Sequence, residues 1–480
     1  MNISRTSETM LKYQKAKAKL IEYGVEKADY PAFPLDSNEL SYSTVYIISR
    51  YAESIIEDDS VSRNDFFNHL KFASQYFDAA VSADDRNTHD LDFLLSGAAA
   101  YFLSNDFGSA KVLCSKIDTN LDRKSPQGLL LSLFRSFLLN KVFLAPIKIQ
   151  TTIDSFIRDI KRFFDKGQLD KSFYSKALEI REMVYDQDNP LDVYYVDILL
   201  AVLFESINHS SWVLLPRYTS LNNNEWITYL SSKKAIKILW PSQQLICEKG
   251  ILKGANAIVQ LPTGVGKTKS IELVIRSAFY TERANNAIII APLRSLCNEI
   301  TYDLTQSFEE GIAINQFSDV LQDDYTFSFT NDENKNNVMV CTPEKLSYIM
   351  HHQPDCISEF DLFIFDEAHM FDDGYRGVTY EFLVSEIKNK VGVSKQIILL
   401  SAVLSNANEI NNWLFDGQGV LASDEQIKPT PKSIGFVSTT RDMYYFTSKS
   451  AEFDFYIPRS IDIKALQKKQ EIRMNSIFHN

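Results

Sequence analysis

The chain has 480 residues, 45% hydrophobic and 23% charged, with a formal net charge of −12, a composition that suits about three globular domains with a real core. Residues 1–230 carry 25 basic and 31 acidic side chains and the remainder carries the same, so there is no basic tail. Wrapping by duplex nucleic acid, as in a basic architectural protein, is thereby disfavoured, whereas a local groove tracking one strand needs only a few placed donors.

The first residues lack the apolar run of a signal peptide. The most apolar stretches, such as Val196 to Phe204, are far shorter than a bilayer span. The cysteines (Cys114, Cys247, Cys297, Cys341, Cys356) are scattered, with no Cys-x-x-Cys pair. They indicate neither a zinc site nor a disulfide framework, but reduced thiols in cytoplasm.

Residues 6–25 predict an amphipathic helix, broken at Asp29-Tyr-Pro-Ala-Phe-Pro34 because prolines remove donors and restrict their neighbours. From Ser41 to Asn208 helix-period segments alternate with short polar breaks: 44–57, 64–81, 90–103, 107–117, 126–142, 151–164, 172–185 and 193–208. Residues 1–225 therefore predict an all-α domain. Leu94 to Ile117 weakly resembles a helix–turn–helix repeat unit, with Asn105-Asp-Phe-Gly as its turn, but no second copy is in register. His69, His89 and His209 are isolated. With no catalytic constellation, this domain is expected to be a docking or regulatory surface for a protein partner.

Ser220-Leu-Asn-Asn-Asn-Glu225 reads as a polar linker, and the periodicity then changes. Short β-rich runs (255–261, 286–291, 313–317, 338–341, 362–365, 396–400) alternate with helical segments. That alternation predicts an α/β domain over residues 226–430 with a parallel sheet, whose ligands gather at the carboxyl ends of the strands.

The first such end is Val259-Gln-Leu-Pro-Thr-Gly-Val-Gly-Lys-Thr268, a strand, a glycine-bearing turn and a helix. The turn leaves backbone N–H groups aimed into one concavity, where polyphosphate can sit at the positive end of the helix. Gly264 and Gly266 let the backbone pass close to phosphate. Lys267 can reach the β- and γ-phosphates, and Thr268 can offer its hydroxyl to Mg²⁺. Leu261 stands where the usual pattern has a small residue. Ninety-nine residues after Lys267, the apolar run Asp361-Leu-Phe-Ile-Phe ends in Asp366-Glu-Ala-His369. Asp366 is placed to hold Mg²⁺ and Glu367 to orient or polarise the attacking water.

Together, Pro262-Thr-Gly-Val-Gly-Lys-Thr268 and Asp366-Glu-Ala-His369 resemble the first motor domain of superfamily 2 DEAH-box helicases. The resemblance implies a RecA-like ATP-binding domain acting with ATP and Mg²⁺ on single-stranded or tailed DNA or RNA. It places Pro262, Thr263, Gly264, Val265, Gly266, Lys267, Thr268, Asp366, Glu367 and His369 at the nucleotide. Leu239-Trp-Pro-Ser-Gln243 resembles the adenine-reading element, whose glutamine amide can pair with N6 and N7. Pro292 and Arg294, and Thr342 and Pro343, fall in segments that resemble those gripping the nucleic-acid backbone. Ser401-Ala-Val403 resembles the Ser-Ala-Thr coupling segment, with a hydroxyl lost at Val403. The sequences after the acidic pair (Arg376-Gly-Val-Thr-Tyr-Glu381) and after the coupling segment resemble the Ski-like group. The helical N-terminal domain and the replaced threonine resemble large bacterial anti-phage helicases, such as the helicase subunit of the Hachiman system.

A helicase motor needs a second RecA-like domain, whose arginines steady charge on the transferring phosphoryl group. Lys428-Pro-Thr-Pro-Lys-Ser-Ile-Gly-Phe436 resembles the entry into it, so residues 431–480 are expected to begin that domain and leave it incomplete. No Gln-x-x-Gly-Arg-x-x-Arg element occurs. The competing reading is an interaction protein whose helical domain docks an effector and whose nucleotide site is a switch.

Overall fold

The computed structural model describes residues 5–22, 39–82, 91–118, 121–122, 124–139, 141, 151–232, 234–308, 311–316, 336–372, 374–391, 395–402, 404, 406–424, 427, 434–437, 443–446 and 452–454. The chain divides into two compact units. One takes residues 1–145, 178–205 and 430–480, the other residues 146–177 and 206–429. Among the described residues no helix is long and apolar enough to cross a membrane.

The N-terminal half is helical, as its periodicity predicts: α1 (Arg5–Glu22), α2 (Glu39–Ile56), α3 (Ser60–Ser82), α4 (Leu91–Leu103), α5 (Phe107–Ser115), α6 (Pro126–Phe137), α7 (Thr152–Lys166), α8 (Phe173–Tyr185) and α9 (Pro190–Asn208). In the first unit α4 is the centre, buried without a break from Leu94 to Leu103. A Cβ on Gly97 would lie 2.9 Å from both Phe77 Cβ and Leu113 Cδ1, so glycine lets α3 and α5 close on α4. Asn105 turns the chain between α4 and α5 at φ 66°, in the left-handed region that asparagine tolerates. The break at residues 29–34 and His89 lie outside the described residues.

Two helices depart from the sequence reading. The run 220–225, expected to be a linker, opens a helix instead. α10 (Ser211–Tyr218) is followed by α11 (Asn223–Leu230). Asn222 Oδ1 accepts from the Asn224 N–H at 2.9 Å, and Glu225 Oε2 accepts from the Asn222 N–H at 2.7 Å. The polar residues are thus a reciprocal cap, not a tether. α11 then buries Trp226, Tyr229 and Leu230. Both helices belong to the second unit.

The remainder of that unit runs α12 (Pro241–Glu248), β1 (Ala257–Gln260), α13 (Lys267–Tyr280), β2 (Asn286–Ile290), α14 (Arg294–Ser307), β3 (Ile312–Gln316), β4 (Asn336–Cys341), α15 (Pro343–His352), β5 (Leu362–Phe365), α16 (Gly374–Val391), β6 (Gln396–Ser401), α17 (Ala407–Phe415) and β7 (Val420–Ser423). Among the described residues these strands form one sheet in the order β3-β4-β2-β5-β6-β1-β7, and every neighbouring pair is parallel. β7 was not anticipated. β5 and β6 are buried at every position, as strands covered on both faces must be.

Register decides where the site lies. Gln260 pairs with Ser401, Phe365 with Leu399, and Ile290 with both Phe365 and Cys341. The carboxyl ends of β1, β2, β4, β5 and β6 therefore share one rim. Beyond this unit, β8 (Ile434–Val437), β9 (Met443–Phe446) and β10 (Glu452–Asp454) form a three-stranded antiparallel sheet. Residues 428–433 of the segment expected to enter a second α/β domain lie outside the described residues.

Candidate functional site

The glycine turn leaves β1 toward the rim. The Leu261 N–H donates to Ser401 O at 2.9 Å, extending the β1–β6 ladder one residue beyond the strands. Gly264 and Gly266 adopt φ 84° and 88°, where a side chain is strained. Gly266 is the N-cap of α13, and no side chain caps that end. The first-turn N–H groups thus face the concavity with no side-chain acceptor, the arrangement that takes an anion. Val265 is pinned from outside, because the Ser242 hydroxyl donates to its carbonyl at 2.6 Å.

The acidic pair leaves β5, with β6 between it and β1. The Asp366 N–H donates to Ile290 O at 2.8 Å. Asp366 Oδ1 accepts from the Glu367 N–H at 3.0 Å, and the Tyr380 hydroxyl donates to Asp366 O at 3.2 Å. Burial holds the Asp366 carboxyl above its usual range; Lys267 opposes that shift and the Glu367 charge adds to it. Glu367 sits at φ 53°, a backbone state whose cost must be offset by its surroundings.

Lys267 Nζ donates to Glu367 Oε1 at 2.8 Å, with the two side chains 12% and 18% exposed. The other oxygen, Oε2, lies 3.2 Å from His369 Nδ1. That is an ion-contact distance without hydrogen-bond geometry, and Oε2 is buried with no donor. An uncapped helix, a glycine cradle, a buried acceptor short of a donor, and the largely buried Asp366 carboxyl suit a phosphate-bound divalent cation, which Thr268 on the first turn of α13 and Asp366 would hold. Mg²⁺ takes few protein ligands and keeps its phosphate oxygens.

Gln243 adjoins this turn, since a Cβ on Gly266 would lie 3.2 Å from its Nε2. It is 3% exposed, and its Oε1 accepts from the Trp240 N–H at 2.7 Å. One face of the amide is therefore committed to starting α12. Pro262 is half-buried and Thr263 exposed on the same turn.

A second cluster forms farther along the rim. Arg376, at the start of α16, donates from Nη2 to Pro292 O at 2.7 Å. It also holds Glu344 Oε1 through Nε at 3.0 Å and Nη2 at 2.8 Å. Thr342 is the N-cap of α15, its Oγ1 accepting from the Lys345 N–H at 3.4 Å, with Pro343 following in the first turn. Arg294 is exposed on the first turn of α14. Arg376, Pro292 and the α15 start thus come together. Ser401 does not join them; it is buried beside the glycine turn. Val403 lies outside the described residues.

Several contributors have no role assigned from the sequence, although Ser242, Tyr380 and Gln260 stand inside its motifs: Ser242, Tyr380 and Glu344, and Gln260, whose Nε2 donates to Leu404 O at 2.6 Å. Their contacts span 14 to 144 positions, so no local pattern announces them.

A family model described as DEAD/DEAH box helicase matches residues 240–410. Over 295 residues the chain is 28% identical to the Hachiman protein HamB of Bacillus cereus, covering 59% of this chain and 26% of that one. Over 205 residues it is 33% identical to the ATP-dependent DNA helicase Hel308 of Thermoplasma volcanium, covering 42% and 28% respectively. The chain therefore spans about a quarter of the length of these curated relatives. Among solved structures, the DUF1998 helicase MrfA bound to DNA aligns with a TM-score of 0.33 at 21% identity, over 42% of this chain and 29% of that one. The sheet order itself carries the fold assignment.

Proposed function

Because residues 240–410 form a DEAD/DEAH-box helicase domain of superfamily 2, we propose that this chain is the ATP-binding part of a helicase or translocase motor driven by nucleic acid. The observation that carries the reading is the 2.8 Å contact between Lys267 and Glu367. It joins a phosphate-binding turn to an acidic pair a hundred positions away, across an intervening strand.

ATP with Mg²⁺ supplies the phosphoryl group and the cation that neutralises its charge. Lys267 exchanges its carboxylate partner for phosphate oxygens. Glu367, released from the lysine, orients water and accepts its proton. Thr268 and Asp366 hold the cation, His369 stays against Glu367, and Gln243 presents its amide at the base side of the turn. Arg294, Thr342 and Arg376 grip phosphate and sugar of a single strand of DNA or RNA, with the buried Pro343 fixing the start of α15 behind them; such contacts position a strand without reading its sequence. Ser401, the last residue of β6, accepts from the Leu261 N–H just before the glycine turn and so ties that strand to the rim.

The helical region, residues 1–225, docks a protein partner, and residues from 431 lead toward a second motor half. With no arginine-finger element in these 480 residues, the chain by itself hydrolyses ATP slowly, since a missing finger costs on the order of 10³ to 10⁵ in rate. The identity to the Hachiman protein HamB supports a role in bacterial defence. Expression of the gene should lower phage plating efficiency, and Glu367→Gln should remove that effect.

The direct test is ATP hydrolysis with and without single-stranded DNA or RNA, for wild type and Glu367→Gln. Stimulation abolished by the substitution supports the motor. Tight binding of ATP without turnover, with either nucleic acid present, supports the nucleotide-switch reading instead.

A further inference from the structure

The helix carrying Lys267 is gripped on the side away from the nucleotide. Helical residues advance by roughly 100° each, so Ile271, Val274 and Ala278 share the side of Lys267, while Lys269, Glu272 and Arg276 form a stripe on the opposite side. An outward stripe with three charges ordinarily faces water. Here Arg276 is 0% exposed and Glu272 1%, and α13 is buried continuously from Ser270 to Phe279.

The cover comes from two places. Arg276 Cζ lies 4.0 Å from the ring centroid of Tyr229 on α11 and 4.3 Å from that of Phe308, the residue that ends α14. The guanidinium is thus held between two aromatic rings. It donates from Nε to Glu272 Oε1 at 3.0 Å, from Nη2 to Ser307 O at 2.8 Å and from Nη1 to the Tyr280 hydroxyl at 3.3 Å. Lys269 closes the ring, donating to Glu272 Oε2 and to Ser307 Oγ, each at 2.8 Å. Trp226 of α11 meets Tyr280 edge to face at 5.1 Å. Trp226 and Tyr229 lie upstream of the residues the helicase family model matches.

We propose that Arg276 is a positioning residue of the nucleotide site, and that α11 is a working part of that site. The inference rests on the ATP-site reading of Lys267 and Thr268. A planar fork with two stacked faces and a fixed carboxylate sets both the roll and the tilt of α13, as a flexible ammonium could not. Lys267 stands across the helix axis from that grip and about half a turn from its nearest member, Lys269. Slack in the grip therefore moves Lys267 and Thr268 against the acidic pair, and the ordering cost falls on nucleotide binding.

The experiment measures Mg·ADP affinity by calorimetry on the full 480-residue chain, with the thermal midpoint beside it. Three variants are used: Arg276→Lys, Lys269→Gln, and the double Arg276→Met/Glu272→Leu. Arg276→Lys keeps the charge and loses the fork, and affinity should fall about tenfold. Lys269→Gln, at the solvent edge of the network, should fold and weaken binding by a smaller factor. The double variant separates positioning from stability, because replacing a buried ion pair by apolar residues of similar volume is often neutral or stabilising. Its thermal midpoint should match or exceed wild type while its affinity stays about tenfold weaker. A double variant that regains wild-type affinity overturns the proposal, as does Lys269→Gln binding like wild type; both conclusions stand even if Arg276→Lys does not fold. A wild-type chain that binds no Mg·ADP removes the ATP-site reading and this proposal together. A wild type that binds, beside variants that bind equally, removes only the proposal.

Discussion

Two residues at the rim, and the buried cysteines elsewhere, illustrate what a side chain contributes singly. Glu367→Gln keeps the size of the group and its ability to accept a hydrogen bond, but it abolishes the ion pair with Lys267 and the capacity to take a proton. Turnover should drop about 10²-fold or more while ATP still binds, a split that single-turnover hydrolysis and equilibrium binding resolve. Gly266→Ala adds a Cβ at φ 88° and 3.2 Å from Gln243 Nε2. The strained backbone should cost about 1–3 kcal/mol, and phosphate should lose its close approach. Thermal unfolding and nucleotide binding should therefore weaken together. The cysteines are all buried, and burial pushes the Cys247 thiol up to about 12 and the Cys114 thiol to about 11. The thiolate is the reactive form, so at neutral pH Ellman's reagent should label the native chain slowly and five thiols should appear on unfolding. Lys267 stands out in the sequence because a glycine turn between strand and helix is a local pattern, and Asp366 and Glu367 because two acids ending an apolar run are another. It was silent about Arg276, because Glu and Arg four apart on a helix read as a solvated pair. Only the covering rings convert that pair into a buried one.

At the scale of elements, periodicity located the helices and strands well, since each buries one face or two and the pattern follows directly. The helices expected at 44–57, 64–81 and 90–103 are α2, α3 and α4 with modest shifts at their ends. The exception is instructive. Ser220 to Glu225 reads as a polar linker, yet Asn222 and Glu225 form a capping box, and what decides is the burial of Trp226, Tyr229 and Leu230 behind it. Asn222→Ala removes the cap and should cost about 1 kcal/mol. For a unit of this size that lowers the thermal midpoint by about 2–4 °C, measurable by calorimetry. If α11 belongs to the nucleotide site, the midpoint shift produced by Mg·ADP should shrink in the same variant. β7 escaped notice because Val420-Leu-Ala-Ser423 is too short to carry a pattern, and its place at the sheet edge is set by pairing with β1.

At the scale of the molecule, the chain divides into two compact units, and the proposed nucleotide site lies in the α/β one. A ligand that binds only the folded state stabilises it by about 2.7 kcal/mol at a hundred times its dissociation constant. Mg·ADP at that excess should raise the thermal midpoint of the chain. Chelating the metal should reduce the rise, and Lys267→Ala should abolish it; differential scanning calorimetry reads all three. The helical unit has α4 and α9 buried through their middles.

What the sequence determined alone is a set of motifs: a glycine turn with its lysine, an acidic pair after an apolar strand, and the order of the segments between them. These are local arrangements, in which a few adjacent residues suffice to form the turn or end the strand. What only the tertiary structure decided is the assembly. The register of parallel strands brings distant turns to one rim, Lys267 reaches Glu367 across β6, and α11 closes over the outer side of α13. Those contacts join positions tens to more than a hundred residues apart, and they are set by which surfaces pack together, a quantity no stretch of neighbouring residues contains.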